Sequence, residues 1–168
     1  MALKEKVPNR GHNRNMSIDE RFIRVALEEA RLAYGEDEVP VGAVITMGEK
    51  ILARAHNCPI SRNDPSAHAE ILAIRKAAKS VGNYRLCEAT LYVTIEPCIM
   101  CAGAIIQARI ARVVFGALDP KGGAVVSLYT LLEDDRLNHS VDVRGGILGD
   151  ECGEILSRFF REKRVRTP

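Results

Sequence analysis

Strand-like and helix-like segments alternate along this chain, and few architectures accept that order. The first two strand-like runs are joined by a short turn that contains Gly48, which predicts an opening hairpin. Segments with helical spacing of apolar residues separate the later runs. The runs are residues 41–46, 51–55, 90–95, 112–116 and 141–143, with a further short apolar run at 128–132. This order predicts an α/β fold with a central mixed sheet of about five strands and helices on both faces.

Capping residues mark the ends of the predicted helices. Ser17 and Glu20 have the spacing of a capping box, and helical periodicity continues from there to Gly35. Pro97 stands where another helix can begin, because proline is tolerated in a first helical turn. The later helices are predicted at residues 68–79, 97–108 and 149–163. Residues 57–66 are rich in Pro, Ser, Asn and Asp and are predicted to form a loop.

The length and composition of the chain suit one hydrophobic core. With 168 residues, 46% of them apolar, the chain can bury an ordinary core but is short for two domains. We expect a single domain at residues 17–168, preceded by a basic and poorly ordered extension at residues 1–16. No run approaches the roughly 20 apolar residues of a membrane span, and the first residues lack the apolar segment of an export signal. We therefore expect a cytoplasmic protein that makes no membrane contact.

Positive charge is concentrated at both ends. Residues 1–16 hold four basic residues and one acidic residue, and residues 158–168 hold five and one, although the net charge of the chain is only +2. The C-terminal segment also contains Phe159 and Phe160. Such a segment suits an RNA backbone, since cations pair with phosphates and aromatic rings pack on bases. It also suits a solvated helix end whose phenylalanines belong to the core, and the charge pattern alone favours this second interpretation.

The cysteines do not suggest a disulfide framework. There are five, and the chain shows no export signal, so we expect thiols that are buried, metal-bound or reactive. Pro97, Cys98 and Cys101 form a P-C-x-x-C pattern, which chance rarely produces with seven Pro and five Cys. The H-x-E pattern of His68 and Glu70 is weak by itself, because chance matches to it are common. The cysteine pattern is therefore the stronger signal.

The spacing of these residues suits a metal. Cys98 and Cys101 lie three residues apart at a predicted helix start, where both sulfurs share one face and the helix dipole favours thiolates. His68 opens another helix, so one imidazole and two thiolates can converge on a zinc ion and leave its fourth position open to water. Glu70 is near enough to reach that water without binding the metal. The sequence therefore predicts a catalytic zinc with Glu70 as a proton shuttle.

Other interpretations of these residues stay open. A C-x-x-C pattern can be a redox pair, although that function expects a thioredoxin-like setting without a partner histidine. A structural zinc site of three cysteines and one histidine could instead recruit Cys58 or Cys87. Taken alone, His68 would be an ordinary helix cap and Glu70 a solvated charge. Only their joint placement with the two cysteines favours catalysis.

Beyond the metal motif, longer strings of residues resemble one known family. Over about residues 18–160 the chain resembles the cytidine-deaminase-like superfamily of zinc deaminases, and within it the bacterial tRNA-specific adenosine deaminases. The strings that carry the resemblance are EVPVGAV at residues 38–44, HN at 56–57, NYRL at 83–86, ATLYVTIEPCIMCAGA at 89–104, RVVFGALDPKGGA at 112–124, DEC at 150–152 and FFREKR at 159–164. The longer strings separate this subfamily from free-nucleoside cytidine deaminases.

The resemblance implies a structure, a cofactor, partners and a reaction. It implies a three-layer α/β/α fold, a homodimer, one zinc ion per chain, and hydrolysis of the wobble adenosine to inosine in the anticodon loop of an arginine tRNA. Carried over by position, Asn57 hydrogen-bonds the flipped base and Asp119 contacts the nucleotide backbone beside it. Without the resemblance, Asn57 would be a loop turn and Asp119 a turn cap.

Two alternative functions remain at this point. The nearest is deamination of a free base or nucleoside, such as guanine or cytosine, by the same chemistry. The other is a catalytically silent, zinc-bearing RNA-binding subunit that supports a second deaminase. Glu70 argues against the silent subunit, because such a site has no need of a proton shuttle.

Overall fold

The computed structural model describes residues 16–166 of the chain, which form one sheet packed between helices. The strands are β1 (Gly42–Met47), β2 (Lys50–His56), β3 (Ala89–Ile95), β4 (Arg112–Ala117) and β5 (Asp142–Arg144). The helices are α1 (Ile18–Gly35), α2 (Pro59–Arg62), α3 (Ala69–Val81), α4 (Ile99–Gln107) and α5 (Gly149–Arg166). The basic extension predicted for residues 1–16 lies, apart from Met16, outside the described residues.

The sheet is mixed and has the strand order β2-β1-β3-β4-β5. Strand β1 pairs antiparallel with both β2 and β3, whereas β3, β4 and β5 run parallel. Parallel neighbours need a crossover connection. Here α4 connects β3 to β4, and the segment that contains residues 131–133 connects β4 to β5. The predicted mixed sheet of about five strands is confirmed.

Alternation of side chains along the strands divides the core between two layers of helices. Val44, Tyr92 and Val114 face α1 and α5, where they pack with Phe22 and Ile155. The residues on either side of them in sequence face α3 and α4 and belong to the larger cluster; they are Ala43, Ile45, Leu91, Val93, Val113 and Phe115. Both faces of the sheet are therefore buried, which gives the expected three-layer α/β/α fold.

Helix α1 is fixed at its start and against the sheet. Ser17 Oγ accepts a hydrogen bond from Glu20 N while the Glu20 carboxylate accepts one from Ser17 N, so the predicted capping box is present. Gly42 lets β1 approach this helix closely, since a Cβ at that position would lie 1.9 Å from Ala26 O. Any larger residue at Gly42 would force the helix away from the sheet.

A buried carboxylate ties α1 to the far edge of the sheet. Asp19, whose side chain is 2% exposed, accepts hydrogen bonds from Arg112 at 2.8 Å and Arg144 at 2.7 Å. Burial opposes ionisation of Asp19, but the two guanidinium groups outweigh it and hold the pKa of the carboxyl below its usual value. The three-residue strand β5 is thereby anchored through Arg144.

Two segments differ from the sequence prediction. The loop predicted at residues 57–66 contains the short helix α2, which begins with proline and ends where Asn63 takes the left-handed conformation. The apolar run at residues 128–132 forms no strand but leads into a 3-10 turn at Leu131–Glu133, because Leu131 N bonds back to Ala124 O. Within residues 16–166, no helix is long and apolar enough to span a membrane.

Candidate active site

The predicted site residues meet along one edge of the sheet, and this edge is the one formed by the ends of several strands, not by an outer strand. Strands β3 and β4 both end there, and because β1 and β2 run antiparallel to each other, β2 ends and β1 begins at the same edge. The segments that follow β2, β3 and β4 carry Asn57, Cys98 and Asp119 respectively. Loops at the carboxyl ends of parallel strands are the usual place for ligand sites in such sheets. Sheet order thus gathers residues that are far apart in sequence.

Two helix N-termini point into this edge. His68 is the N-cap of α3 and Cys98 the N-cap of α4, and both caps have extended backbone without a side-chain capping hydrogen bond. Cys101 lies in the first turn of α4 and is fully buried. Neither side chain is therefore used to cap its own helix, and both lie where helix dipoles favour negative ligands.

The three predicted metal ligands have the separations that zinc requires. His68 Nδ1 lies 3.7 Å from Cys98 Sγ and 3.6 Å from Cys101 Sγ. A tetrahedral zinc with ordinary Zn–N and Zn–S bonds sets these N···S separations at about 3.6 Å. Among the described residues, neither Cys58 nor Cys87 joins this cluster. The donor set therefore fits a zinc ion with two sulfurs, one nitrogen and one open position, and not the alternative set of three cysteines.

The surroundings of the two thiols favour a negative charge that can bind a cation. A hydrogen bond from Cys101 lowers the pKa of the Cys98 thiol to about 4, because it stabilises the thiolate. The same bond and burial raise the pKa of Cys101, and the bond to Cys98 raises the pKa of His68. The pair thus holds one negative charge at neutral pH, and a bound metal would favour loss of the second proton.

Glu70 lies at the start of α3, beside the metal ligands, and is 2% exposed. Burial raises the pKa of its carboxyl to about 7, so protonated and ionised forms are both accessible near neutral pH. Its Oε2 has no hydrogen-bond partner among the described residues. Buried carboxylate oxygens are nearly always paired. An unpaired one in this position points to a partner outside the protein chain.

A cavity of about 710 Å³ opens over these residues. Its lining includes every predicted site residue except the fully buried Cys101, namely Asn57, His68, Glu70, Cys98 and Asp119. The volume lies in the range of small-molecule sites. The cavity can therefore hold a base or nucleoside against Glu70.

Asn57 has one fixed and one free polar atom. Its side-chain Oδ1 accepts a hydrogen bond from Ala69 N at 2.8 Å, and its backbone N–H donates a hydrogen bond to Val41 O at 3.1 Å. Its Nδ2 has no hydrogen-bond partner within residues 16–166, and the residue is 6% exposed. Asn57 thus fixes the start of α3 beside His68, and it also lines the cavity.

Asp119 acts as the cap of a turn. Its Oδ1 accepts hydrogen bonds from Lys121 N and Gly122 N, both at 3.1 Å. This is the turn-capping arrangement, and the same carboxylate also lines the cavity. Any contact between Asp119 and a nucleotide would therefore be made by a carboxylate that the turn already holds in place.

The C-terminal helix places basic side chains at the mouth of the cavity. Phe159 is 5% exposed and packs edge-on against Tyr34 in the core, whereas Phe160 is 45% exposed and lines the cavity. Arg161 and Arg164 line the same side and are exposed. Phe159 thus belongs to the core, as expected for a solvated helix end, whereas Phe160 lies beside the site, as expected for an RNA-binding segment.

Glu96, just before Pro97, is a functional candidate that sequence analysis missed. It is 1% exposed and accepts hydrogen bonds from the N–H groups of Asp119, Val125, Val126 and Ser127, and from the Ser127 hydroxyl. A Cβ at Gly123 would lie 2.3 Å from this carboxylate, so only glycine fits there. Glu96 therefore ties the cysteine motif to the loop that carries Asp119. An acidic residue directly after an apolar strand was the available signal.

Glu38 is a second buried carboxylate that positions a wall of the site. It is 1% exposed and accepts hydrogen bonds from Ile60 N at 3.2 Å and Ser61 N at 2.7 Å. These are first-turn N–H groups of α2, which otherwise lack a partner. Glu38 thereby holds α2, whose Pro59 lines the cavity.

Comparison with known proteins agrees with this arrangement. Residues 17–164 match the model of the MafB19-like deaminases. A tRNA-specific adenosine deaminase from Bacillus subtilis is 50% identical over 151 residues, covering 90% of this chain and 94% of the relative. The chain belongs to the tRNA-specific adenosine deaminase family. The resemblance stated from the sequence motifs is therefore confirmed.

Solved structures extend the comparison to the fold. One, from a study of A-to-I editing by tRNA A34 deaminases at the wobble position, is 48% identical, has a TM-score of 0.78, and covers 81% of this chain and 99% of its own. A guanine deaminase from Bacillus subtilis is 42% identical with a TM-score of 0.57, over 59% of this chain and 64% of its own. Both solved structures share this fold, and they are described as deaminases of different bases.

Proposed function

We propose that this enzyme hydrolyses the wobble adenosine of a tRNA anticodon loop, in arginine tRNA, to inosine and ammonia. His68, Cys98 and Cys101 bind one zinc ion per chain, and Glu70 moves the protons. Asn57 and Asp119 bind the target nucleotide. Residues 17–168 form one deaminase domain, and the protein works as a cytoplasmic homodimer.

The unpaired Glu70 Oε2 at the floor of the cavity is the observation that carries this proposal. A carboxyl group of pKa about 7 can both accept and donate a proton at neutral pH. It lies next to a donor set that fits zinc. A redox cysteine pair would need neither the histidine nor the buried acid.

Each residue has a definite task in the reaction. When bound, zinc supplies a Lewis acid that lowers the pKa of a water molecule. Glu70 would take one proton from the attacking water as oxygen adds to C6 of the adenine and pass it to N1. It would then take the second proton from the new C6 hydroxyl group and pass it to the departing amine, which leaves as ammonia. The carboxylate is therefore first a base and then an acid, and it is regenerated when ammonia leaves.

The chemistry of base flipping supports a loop nucleotide as the substrate. C6 of a paired adenine lies inside the helical stack, whereas a loop base can be flipped out for a few kcal/mol. Asn57 Nδ2 then donates to an acceptor on the purine edge. Asp119 accepts a hydrogen bond from the ribose of the same nucleotide, and the arginines at the mouth pair with its phosphates.

A comparison of substrates tests the assignment. The purified enzyme is incubated with equal amounts of an arginine tRNA anticodon stem-loop bearing a wobble adenosine, the same loop bearing cytidine, and free guanine. We expect ammonia release to be fastest from the adenosine loop, with one inosine formed per ammonia. Faster release from guanine or the cytidine loop would overturn the substrate while leaving the zinc chemistry in place.

Salt dependence tests the role of the basic helix end. Replacing Arg161 and Arg164 together by Gln should reduce the dependence of tRNA binding on salt, lowering the slope of log K against log salt by about 1 for each lost phosphate contact. Arg31→Gln, at an exposed position of α1 away from the cavity, is the control and should leave the slope unchanged. An unchanged slope in the double variant would contradict a role in RNA binding and would favour the interpretation of this segment as a solvated helix end.

A further inference from the structure

A second cluster of metal-ligating side chains lies outside the active site. It consists of Glu36, His56 and Cys58, whose ligand atoms all lie within 4.8 Å of one another. Glu36 is the C-cap of α1, His56 is the last residue of β2, and Cys58 is the N-cap of α2. Three elements thus converge on one point, and the reaction proposed above uses none of these side chains.

The imidazole and the carboxylate are close to the separation of a tetrahedral site. His56 Nε2 lies 3.1 Å from Glu36 Oε2, against about 3.4 Å for a nitrogen and an oxygen on one zinc ion. Glu36 is 53% exposed and can rotate, which also leaves an open route for a cation. One thiol, one imidazole and one carboxylate are together a donor set that zinc accepts.

The histidine is oriented as metal-binding histidines are. Its other ring nitrogen, Nδ1, bonds to Glu29 Oε2 at 2.9 Å. The Glu29 side chain is only 10% exposed, and its second oxygen accepts a hydrogen bond from Arg54 at 2.9 Å. A carboxylate on the outer nitrogen fixes the ring and directs Nε2 toward a metal. This buried support is an observation independent of the ligand cluster itself.

We propose that Glu36, His56 and Cys58 form a second zinc site, with Glu29 as the residue that orients His56. Water completes the fourth position, as at other sites with three protein ligands. The site goes beyond the deamination proposed above. Since His56 and Cys58 flank Asn57, a bound ion fixes the backbone on both sides of the residue that faces the base.

Cobalt titration of the full chain tests this site. The protein is first loaded with one equivalent of zinc, and Co²⁺ is then added as a spectroscopic probe. We expect one further equivalent to bind, with tetrahedral d–d bands and the charge-transfer band of a single thiolate. Cys58→Ser should abolish the charge-transfer band, and Glu36→Gln should weaken binding by at least about tenfold.

Other variants locate the binding. Glu29→Gln should weaken cobalt binding by about 10- to 100-fold, the usual effect of removing an outer carboxylate from a histidine ligand. Cys87→Ser is the matched control, because Cys87 is exposed and belongs to neither cluster, and this variant should bind cobalt normally.

Absence of a further equivalent of bound cobalt, or a charge-transfer band that survives Cys58→Ser, would overturn the proposal. A two-thiolate spectrum would do the same, since it would place cobalt on Cys98 and Cys101. The deamination assay is not involved, so the two proposals can fail separately.

Discussion

Glu70→Gln is expected to lower the rate of adenosine deamination by about 10²- to 10⁴-fold, the range for loss of a general acid or base. The amide has nearly the same shape as the carboxyl group but cannot take a proton from water or pass one to N1. Glu70 Oε2 makes no hydrogen bond within the described residues, so the variant breaks no hydrogen bond at that atom. Single-turnover measurement of inosine formation checks the rate.

Two controls separate chemistry from folding. Glu88→Gln changes the same functional group at an exposed position and should keep the normal rate. The Glu70 variant should also retain zinc and unfold at a temperature no lower than the unaltered protein, because a buried carboxyl is removed. Near-normal turnover in Glu70→Gln would exclude this residue from the mechanism.

Cys98→Ser is expected to weaken zinc binding by more than about 100-fold and to reduce deamination to background. The change replaces a thiolate by a hydroxyl, which is a far poorer zinc ligand. Serine is a favoured helix N-cap, so α4 should keep its start. After dialysis against a weak chelator, metal analysis should find one zinc per chain in the unaltered protein and none in the variant.

The matched control for this change is Cys87→Ser, which alters an exposed cysteine outside the cluster and should keep both zinc and activity. Full activity without zinc in Cys98→Ser would contradict the role of the metal. The Glu70→Gln and Cys98→Ser variants should lose activity for different reasons. Glu70→Gln should retain zinc but lack the proton shuttle, whereas Cys98→Ser should lack the zinc itself.

Local patterns in the sequence determined much of this protein. The capping box of α1, the hairpin and the cysteine pair at the start of α4 depend on residues one to four positions apart, and such spacing fixes which side chains share a helix face or a turn. Cys98 and Cys101 could therefore be assigned to one site before any fold was known. Family strings then supplied the reaction, which spacing alone did not.

Only the tertiary structure decided how distant segments meet. Phe159 and Phe160 are neighbours of one chemical type, yet one packs in the core and the other lines the cavity, because α5 lies with one face on the sheet. The bonds from Glu96 to residues near 125, and the convergence of Glu36 with His56, join segments about 20 to 30 residues apart. Such contacts follow from strand order and helix placement, which depend on burial summed over the whole core and leave no short-range pattern in the sequence.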